Sequence, residues 1–294
     1  MTPPPPLGLL AQVACLLEAT ARKPGNVHRF HDFDDLHYLD FALSALAVGP
    51  ALESSRTQGV GPAILAAVRA TRTLVSTNTN LGMILLLAPL SAVAPELSLS
   101  NGIEQVLSSL TVDDAQLAYE AIRLAQPGGL ATAPEQDIHS TPSLTLRETM
   151  KLAAHRDSIA LQYANGFHEV LHIALPLLNQ ALDSRRPLEA AIIDAHLALL
   201  AAFPDTLILR KLGAPEALEA SQRARQVLDA GWPHNPAATR LLDEFDLYLR
   251  ARNHDRNPGA TADLVAAALF AGLRDGTIPL PVSLHSWAGP PSPE

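Results

Sequence analysis

Residues 81–94, LGMILLLAPLSAVA, form the most apolar run of the chain and decide what kind of fold the rest can adopt. A helix that spans a bilayer needs about 20 apolar residues, whereas this run is shorter and contains Pro89. We therefore expect a helix buried inside a protein core, with other helices packed around it.

Helical periodicity extends from this run through most of the chain. Apolar residues recur at three- and four-residue spacing, and strict alternation over the length of a strand is hard to find. Pro-Gly turn signals, such as those at residues 24–25 and 257–259, separate the periodic segments. The sequence therefore predicts an all-α fold, a single globular domain of about eleven helices with no sheet. The predicted helices cover residues 9–21, 36–48, 62–74, 81–93, 113–125, 146–164, 167–182, 188–202, 214–230, 235–251 and 261–273.

The composition excludes several classes of function. Of the 294 residues, 48% are hydrophobic and only 4% aromatic, so the core is built mainly from aliphatic side chains. The 21 Lys and Arg residues against 30 Asp and Glu residues give a net charge of -9, which opposes binding to nucleic acid or to an anionic membrane. Cys15 is the only cysteine. This excludes a disulfide framework and a thiolate zinc site and favours a reducing cytoplasm.

The composition changes little along the chain, so we predict one all-helical domain over residues 7–276. The Pro-rich ends, residues 1–6 and 277–294, are interpreted as tails that carry no chemistry. No basic region precedes an apolar core at the N-terminus, so a signal peptide is not expected. The irregular connection at residues 126–143 is interpreted as a loop, and whether it forms a flap stays open.

The densest polar stretch is KPGNVHRFHDFDD, residues 23–35. Pro and Gly fix a tight turn, and the stretch offers a cation at Lys23, an amide at Asn26 and an imidazole at His28. Asp32 and Asp35 would share one helical face, with oxygen ligands that suit Mg²⁺. The alternative is that these aspartates only cap the following helix.

A second polar cluster precedes the buried helix. Arg69 and Arg72 are three residues apart on one helix face, and they lead to the hydroxyl- and amide-rich turn at residues 76–80. Because the turn ends at a helix N-terminus, Asn78 and Asn80 could contact an oxyanion or a sugar. Helix capping alone would explain the same residues.

Two further clusters lie in the second half of the chain. Asp205 opens a D-T turn that leads to the cation Arg210, and the stretch NPGATAD, residues 257–263, ends on Asp263. Taken singly, each is explained by helix capping and the helix dipole. The signatures of familiar nucleotide folds, GxxxxGK[ST] and GxGxxG, are absent from the sequence, as are HExxH and GxSxG.

In their order along the chain, these clusters resemble the triphosphoribosyl-dephospho-CoA synthase family of all-α enzymes. The resemblance extends from about Leu9 to about Ala271. The similar segments are the family's P-K-P-G turn with its downstream His and acidic positions at residues 23–35, its Asn-Thr-rich turn at residues 78–82, its D-T turn and basic residue at residues 205–210, and its P-G-x-x-A-D-L signature at residues 258–264.

The chain also departs from the family pattern. Where the family commonly has N-T-H-K-G, Asn80 and Leu81 replace the His and the Lys. Lys211 and Leu212 stand in place of a double glycine, and Ala260 replaces the second glycine of the last motif. The resemblance therefore leaves the identity of the acceptor open.

The resemblance implies a cytoplasmic transferase with ATP and Mg²⁺. In the family reaction, the 2′-hydroxyl of dephospho-CoA attacks the anomeric carbon of the ATP ribose and adenine leaves. The roles it suggests are His28 as general base; Asp32 and Asp35 as ligands of Mg²⁺, with Asp35 also catalytic; Lys23, Arg69, Arg72 and Arg210 on phosphates; and Asn26, Asn78, Asn80, Asp205 and Asp263 on the nucleotide or sugar.

The sequence is also compatible with two other functions. The same scaffold could perform Mg²⁺-dependent phosphoryl or ribosyl transfer on another nucleotide or cofactor precursor, which the missing His-Lys pair favours. A non-catalytic helical binding protein is the second alternative, since every polar cluster can be read as a set of caps. Exposed apolar helix faces in an Ala- and Leu-rich chain further suggest a homodimer.

Overall fold

The structure is a computed structural model that describes residues 5–128 and 135–282. Fifteen α-helices are present in these residues, and a π-helical turn, Val170–Ala174, leads into the tenth. The helices are α1 (Leu7–Thr20), α2 (Tyr38–Glu53), α3 (Ser55–Gln58), α4 (Val60–Leu74), α5 (Leu81–Ala92), α6 (Leu99–Ser109), α7 (Val112–Ala125), α8 (Leu146–Ala153), α9 (Ser158–Asn165), α10 (Leu175–Asp183), α11 (Leu188–Ala202), α12 (Thr206–Leu212), α13 (Ala214–Asp229), α14 (Pro236–Arg250) and α15 (Gly259–Arg274).

The apolar run at residues 81–94 forms the central helix. Nearly all of α5 is buried, and it packs against α4, α15 and α6. In α15, which is also buried over most of its length, small residues such as Ala266, Ala267 and Ala268 allow close helix packing. The prediction of a buried helix at residues 81–94 is confirmed.

The all-α fold is also confirmed. Within the described ranges, the only strand is the four-residue segment β1 (Ala251–His254), which follows α14. None of the helices described is long and apolar enough to cross a membrane by itself. Helices α11 and α12, bent by 53° at their junction, are long and apolar enough only when taken together.

The number of helices exceeds the predicted eleven for two reasons. Helices α3, α6 and α12 were not predicted, because α3 and α12 are short and α6 is only weakly apolar. The predicted helix at residues 146–164 is divided into α8 and α9, where Asp157 accepts hydrogen bonds from the backbone amides of Ile159 (2.9 Å) and Ala160 (3.1 Å). An aspartate that caps a new helix ends the preceding one.

Two hydrophobic clusters share α11. Its residues Ala191 and Leu199 belong to the larger cluster, which contains α1, α5 and α15. Leu197 and Leu200 of the same helix pack instead against α13 and α14. The two clusters are thereby joined along one helix, which supports the single domain predicted for residues 7–276.

The predicted tails fall largely outside the described residues, which begin at residue 5 and end at residue 282. Ile278 is buried, and its backbone amide donates to the carbonyl of Gly272 (2.9 Å). Packing of the domain thus continues two residues beyond the predicted boundary at 276. The boundaries of the tails remain predictions.

Candidate active site

One cavity of about 670 Å³ lies where several helix ends meet. It is lined by residues of α1, α2, α5, α7, α8, α9, α12 and α15, together with the turns before α2, α5 and α15. Its described lining includes six carboxylates and three cations. They are Glu18, Asp35, Glu135, Asp137, Asp157 and Asp263, and Arg156, Arg210 and Lys211.

Asp263 lies against the N-terminus of α5. The backbone amide of Met83 donates to its carboxylate, and a Cβ on Gly82 would come within 2.0 Å of Asp263 Oδ2. The sequence places glycine there because the carboxylate occupies the space that any other side chain would need. The motif residues Gly82 and Asp263, far apart in sequence, are therefore one contact.

Glu18 of α1 lines the same cavity and forms a buried ion pair. Its Oε1 lies 2.8 Å from Lys23 Nζ, and both side chains are almost completely buried. Lys23 Nζ also donates to the carbonyl oxygens of Glu18 and Ala21. A buried cation requires such a partner, so Lys23 fixes the position of the Glu18 carboxylate. Lys23 itself is not among the described residues that line the cavity.

Burial raises the proton affinity of Glu18 and Asp263, two of the carboxyls that line the cavity. Burial raises the pKa of Asp263 well above its usual range, and the nearby charges of Glu18, Asp205 and Asp157 add to the effect. Burial also raises the pKa of Glu18, while the Lys23 ammonium opposes the rise. The two carboxyls therefore differ mainly in that one has a counter-ion.

The turn that contains Asn26 packs against the turn before α15. Gly25 has a φ of 74°, and a Cβ there would meet Leu249 at 2.6 Å, so glycine is needed both for conformation and for space. Asn26 Nδ2 donates to Asn257 Oδ1 (2.6 Å). Asn26 Oδ1 is buried in the cavity wall and has no hydrogen-bond partner among the described residues.

Asp32 and Asp35 do not share a helical face, because residues 21–37 form turns and α2 begins only at Tyr38. This part of the metal-site prediction is wrong. Asp32 Oδ1 accepts from the backbone amide of Tyr38 (2.7 Å), which is the capping role considered as the alternative. Asp35 lines the cavity and contacts His254 Nε2 at 3.2 Å.

His28 is not brought to the cavity. Its side chain is buried beside the turn, where Nδ1 accepts from the backbone amide of Phe30 (3.2 Å). Burial, followed by the positive charges of Arg250 and Lys23, lowers the pKa of His28 to about 3. An imidazole with so low a pKa is a weak base. His28 is also not among the described residues that line the cavity.

The two arginines of α4 also lie away from the cavity lining. Arg69 Nη2 is 2.5 Å from Glu120 Oε1 in an exposed ion pair with α7. Arg72 donates to the carbonyl of Ser76 and so braces the turn before α5. In that turn Asn78 Oδ1 caps α5 through the amide of Leu81 (3.2 Å), and Asn78 and Asn80 both line the cavity.

Asp205 is a structural connector. Its carboxylate accepts from the amides of Leu207 (2.8 Å) and Ile208 (3.1 Å) at the start of α12, and from the amide and hydroxyl of Thr261 (both 2.8 Å). These bonds occupy the carboxylate, and it does not figure among the described residues of the lining. It aligns α12, which carries Arg210, with α15, which carries Asp263.

Arg210 and Lys211 bring positive charge into the cavity. Arg210 Nη1 lies 3.2 Å from Asp157 Oδ2. Lys211 Nζ lies 3.2 Å from Nδ1 of His254, whose other ring nitrogen contacts Asp35. Burial lowers the pKa of Lys211. An anionic ligand that displaced these contacts would meet two cations on one helix.

Sequence reasoning missed Glu18, Lys211 and Asn257. Glu18 lies in an apolar helical run, and the only signal was that a glutamate interrupts a buried helix face. Lys211 was regarded as a replacement for glycine and not as a ligand. Asn257 belonged to a turn whose residues were explained by capping.

The fold is similar to that of a solved protein. The crystal structure of a predicted triphosphoribosyl-dephospho-CoA synthase from Archaeoglobus fulgidus superposes with a TM-score of 0.62 over 79% of this chain and 98% of that chain, at 24% identity. At this identity the likeness establishes the fold alone. It places the chain in the class of all-α proteins built like that one.

The sequence identifies the family. Residues 5–280 match the CitG family, described as ATP:dephospho-CoA triphosphoribosyl transferase, and the chain belongs to it. The resemblance noted from the four motifs is thus confirmed.

Curated relatives agree over part of their length. A protein of Pseudomonas fluorescens Pf-5, named probable 2-(5''-triphosphoribosyl)-3'-dephosphocoenzyme-A synthase, is 35% identical over 40% of this chain and 43% of its own. A protein of the same name from Pseudomonas syringae pv. syringae B728a is 31% identical over 56% of this chain and 55% of its own. The chain thus spans about half the length of the curated relatives that it matches.

Proposed function

We propose that the chain transfers the 5-triphosphoribosyl group of ATP to the 2′-hydroxyl of dephospho-CoA, with release of adenine. One observation carries the proposal. Residues from all four family motifs, Asn26, Asn80, Arg210 and Asp263 among them, line a single cavity. Helix capping does not require that separate caps converge, so their convergence favours a shared ligand.

The cavity suits glycosyl transfer. The departure of adenine leaves positive charge on the ribose, and carboxylates in a dry cavity stabilise such a transition state. Glu18 supplies a buried carboxylate with a counter-ion, and Asp263 supplies a second buried carboxyl group. Arg156, Arg210 and Lys211 supply the cations that the triphosphate needs.

Mg²⁺ fits this cavity because its donors are oxygens and because six carboxylates there outnumber three cations. No preformed group of three or more His, Cys, Asp or Glu residues that could hold a metal is found among the described residues. Mg²⁺ commonly uses one or two carboxylates together with substrate phosphates. Asp35 remains a proposed ligand, whereas Asp32 faces α2. The ion would neutralise charge on the triphosphate.

The test is direct. The protein is incubated with ATP, Mg²⁺ and dephospho-CoA, and adenine and the mass of the coupled product are measured by chromatography and mass spectrometry. Stoichiometric adenine and triphosphoribosyl-dephospho-CoA support the proposal. ADP, AMP or no product contradict it, and absence of nucleotide binding would favour a helical binding protein.

A second candidate is transfer to a different acceptor. Leu81, which stands where the family commonly has Lys, lines the cavity, so an apolar group replaces a cation at this position. An acceptor that lacks the matching negative charge would fit better there. The test is adenine release from ATP with dephospho-CoA and with pantetheine or adenosine as acceptors. A clear preference for dephospho-CoA would contradict this candidate.

We retain a homodimer and a cytoplasmic location as proposals. Exposed leucines on α1 and α2, namely Leu9, Leu16, Leu39 and Leu46, form apolar positions on neighbouring helices. Light scattering of the purified protein would distinguish a dimer from a monomer.

A further inference from the structure

Two buried carboxyls line the cavity from helices that pack against each other. Glu18 lies on α1 and Asp263 on α15, and both line the cavity. The charge of Glu18 contributes to the raised pKa of Asp263. Burial, and then the charges of Glu18 and Asp263, raise the pKa of the buried Cys15 thiol, which lies one helical turn before Glu18. The two groups therefore belong to one buried electrostatic unit.

The surroundings of the two carboxyls differ. Glu18 has a cation, because Lys23 Nζ lies 2.8 Å from its Oε1 and is itself buried. Asp263 accepts a hydrogen bond from the backbone amide of Met83, and its charged neighbours Glu18, Asp205 and Asp157 are negative. When two carboxyls share a site, the one with the counter-ion ionises first and the other keeps its proton.

The same cavity contains an unused hydrogen-bond acceptor. Asn26 is 5% exposed, and its Oδ1 has no partner within the described chain although its Nδ2 is bonded to Asn257. A buried acceptor without a partner is costly unless a ligand supplies a donor. A group with N–H or O–H donors, such as a purine or a sugar, therefore belongs beside it.

We propose that Glu18 is the general base that receives the proton of the attacking hydroxyl, and that Asp263 is the general acid that protonates the departing adenine. This inference rests on the proposed triphosphoribosyl transfer. It replaces His28 as the base, since His28 lies outside the described lining of the cavity.

The step balances. The hydroxyl oxygen of the acceptor forms a bond to C1′ of the ribose, and its proton passes to Glu18. The C1′–N9 bond breaks, its electron pair stays on adenine, and the proton of Asp263 passes to a ring nitrogen of the base. Glu18 is left neutral and Asp263 ionised, so one proton transfer from Glu18 to Asp263 restores the starting state.

The assignment predicts separate changes in the pH dependence of kcat. The ionised base makes the rate rise with pH, and the protonated acid makes it fall at higher pH, which gives a bell-shaped profile. Glu18→Gln removes the rising limb and Asp263→Asn removes the falling limb. Each lowers kcat on the order of a hundredfold or more. Glu189→Gln, a buried carboxyl paired with Arg22 and Arg29 outside the described cavity lining, is the matched control and keeps the bell.

A substrate analogue separates the two roles. In 8-azaadenosine triphosphate the purine is a better leaving group, so it needs less protonation. Asp263→Asn recovers much of its lost rate with this analogue, and Glu18→Gln does not. Equal recovery by both variants, or by neither, would overturn the assignment.

Folding is controlled separately. Because Glu18→Gln leaves Lys23 buried without a partner, the double variant Glu18→Gln with Lys23→Met is also measured, and thermal melting reports whether each protein folds. If the wild-type protein releases no adenine, the proposed function fails. If it does and both single variants keep the wild-type bell, only this inference fails.

Discussion

The cavity wall formed by α1, α5 and α15 and the outer face formed by α4 and α7 carry similar ion pairs in opposite surroundings. Glu18 of the wall pairs with Lys23, with 2.8 Å between Oε1 and Nζ, and both side chains are buried. On the outer face, Arg69 and Glu120 are 2.5 Å apart and exposed. In water the exposed pair is screened and contributes little. In the wall the same charges alter proton affinities and hold a carboxylate where a ligand can reach it. Burial, more than the type of side chain, decides which pair can take part in chemistry.

The largest change we expect comes from Gly82→Ala in the wall. Its Cβ would meet Asp263 Oδ2 at 2.0 Å, so the carboxyl must move away from the N-terminus of α5. We predict that adenine release falls on the order of a hundredfold or more, measured by single-turnover kinetics. Gly128→Ala, whose Cβ would have only an ordinary contact at 3.6 Å with Lys211, is the control. Similar rates for both variants would show that the Gly82–Asp263 contact is not needed.

Lys23→Met tests the buried ion pair through stability. The substitution leaves Glu18 buried without its counter-ion, which should lower the free energy of unfolding by about 3–5 kcal/mol. Arg69→Met on the outer face should lower it by less than about 1 kcal/mol. Chemical denaturation measures both, and equal losses would mean that burial does not distinguish the two pairs.

A pair of arginines sharpens the comparison for ligand binding. Arg210 lines the cavity and Arg69 does not appear in its described lining. We expect Arg210→Ala to raise the KM for ATP about tenfold, the effect of losing one charge-assisted contact of ~1.4 kcal/mol, and Arg69→Ala to change it less than twofold. The comparison would fail if both substitutions, or neither, affected the KM.

The smallest effect concerns the stability of Asp263→Asn. Because the folded state raises the pKa of Asp263, the protein binds this proton more tightly folded than unfolded, and stability is lost as pH rises from the unfolded pKa through the folded one. The asparagine side chain does not titrate, so the variant does not lose stability in this way as the pH rises. It should therefore be more stable than the wild type near pH 8, and the difference should shrink near pH 3. Melting curves at the two pH values would show it.

Much of the fold followed from the sequence because helical periodicity in an aliphatic chain is a strong signal. The buried helix α5 was predicted correctly from residues 81–94. Only helices α3, α6 and α12 and the helix break at Asp157 were not predicted. The site was harder to predict. Ligand contacts were predicted for Asn26, Asn78, Asn80, Arg210 and Asp263, and all five line the cavity. Their roles remain predictions.

The roles of other site residues could not be assigned from the sequence, because the spacing of residues along the chain does not show where their side chains point. Asp32 and Asp35 lie close together in the chain, yet one caps α2 and the other reaches His254. The family resemblance suggested Lys23 as a phosphate contact, and only the packing shows that its side chain turns inward to Glu18. Glu18 itself carried no motif and became visible only when α1 was placed against α15.

The central claim is that the cavity is the place where adenine leaves ATP. Its most direct test is adenine release measured side by side for the wild type, Asp263→Asn and Arg69→Ala, with saturating ATP, Mg²⁺ and dephospho-CoA. We predict the same rate for the wild type and Arg69→Ala, and a rate lower on the order of a hundredfold or more for Asp263→Asn. Wild-type release from Asp263→Asn, or no release from the wild type, would contradict the account.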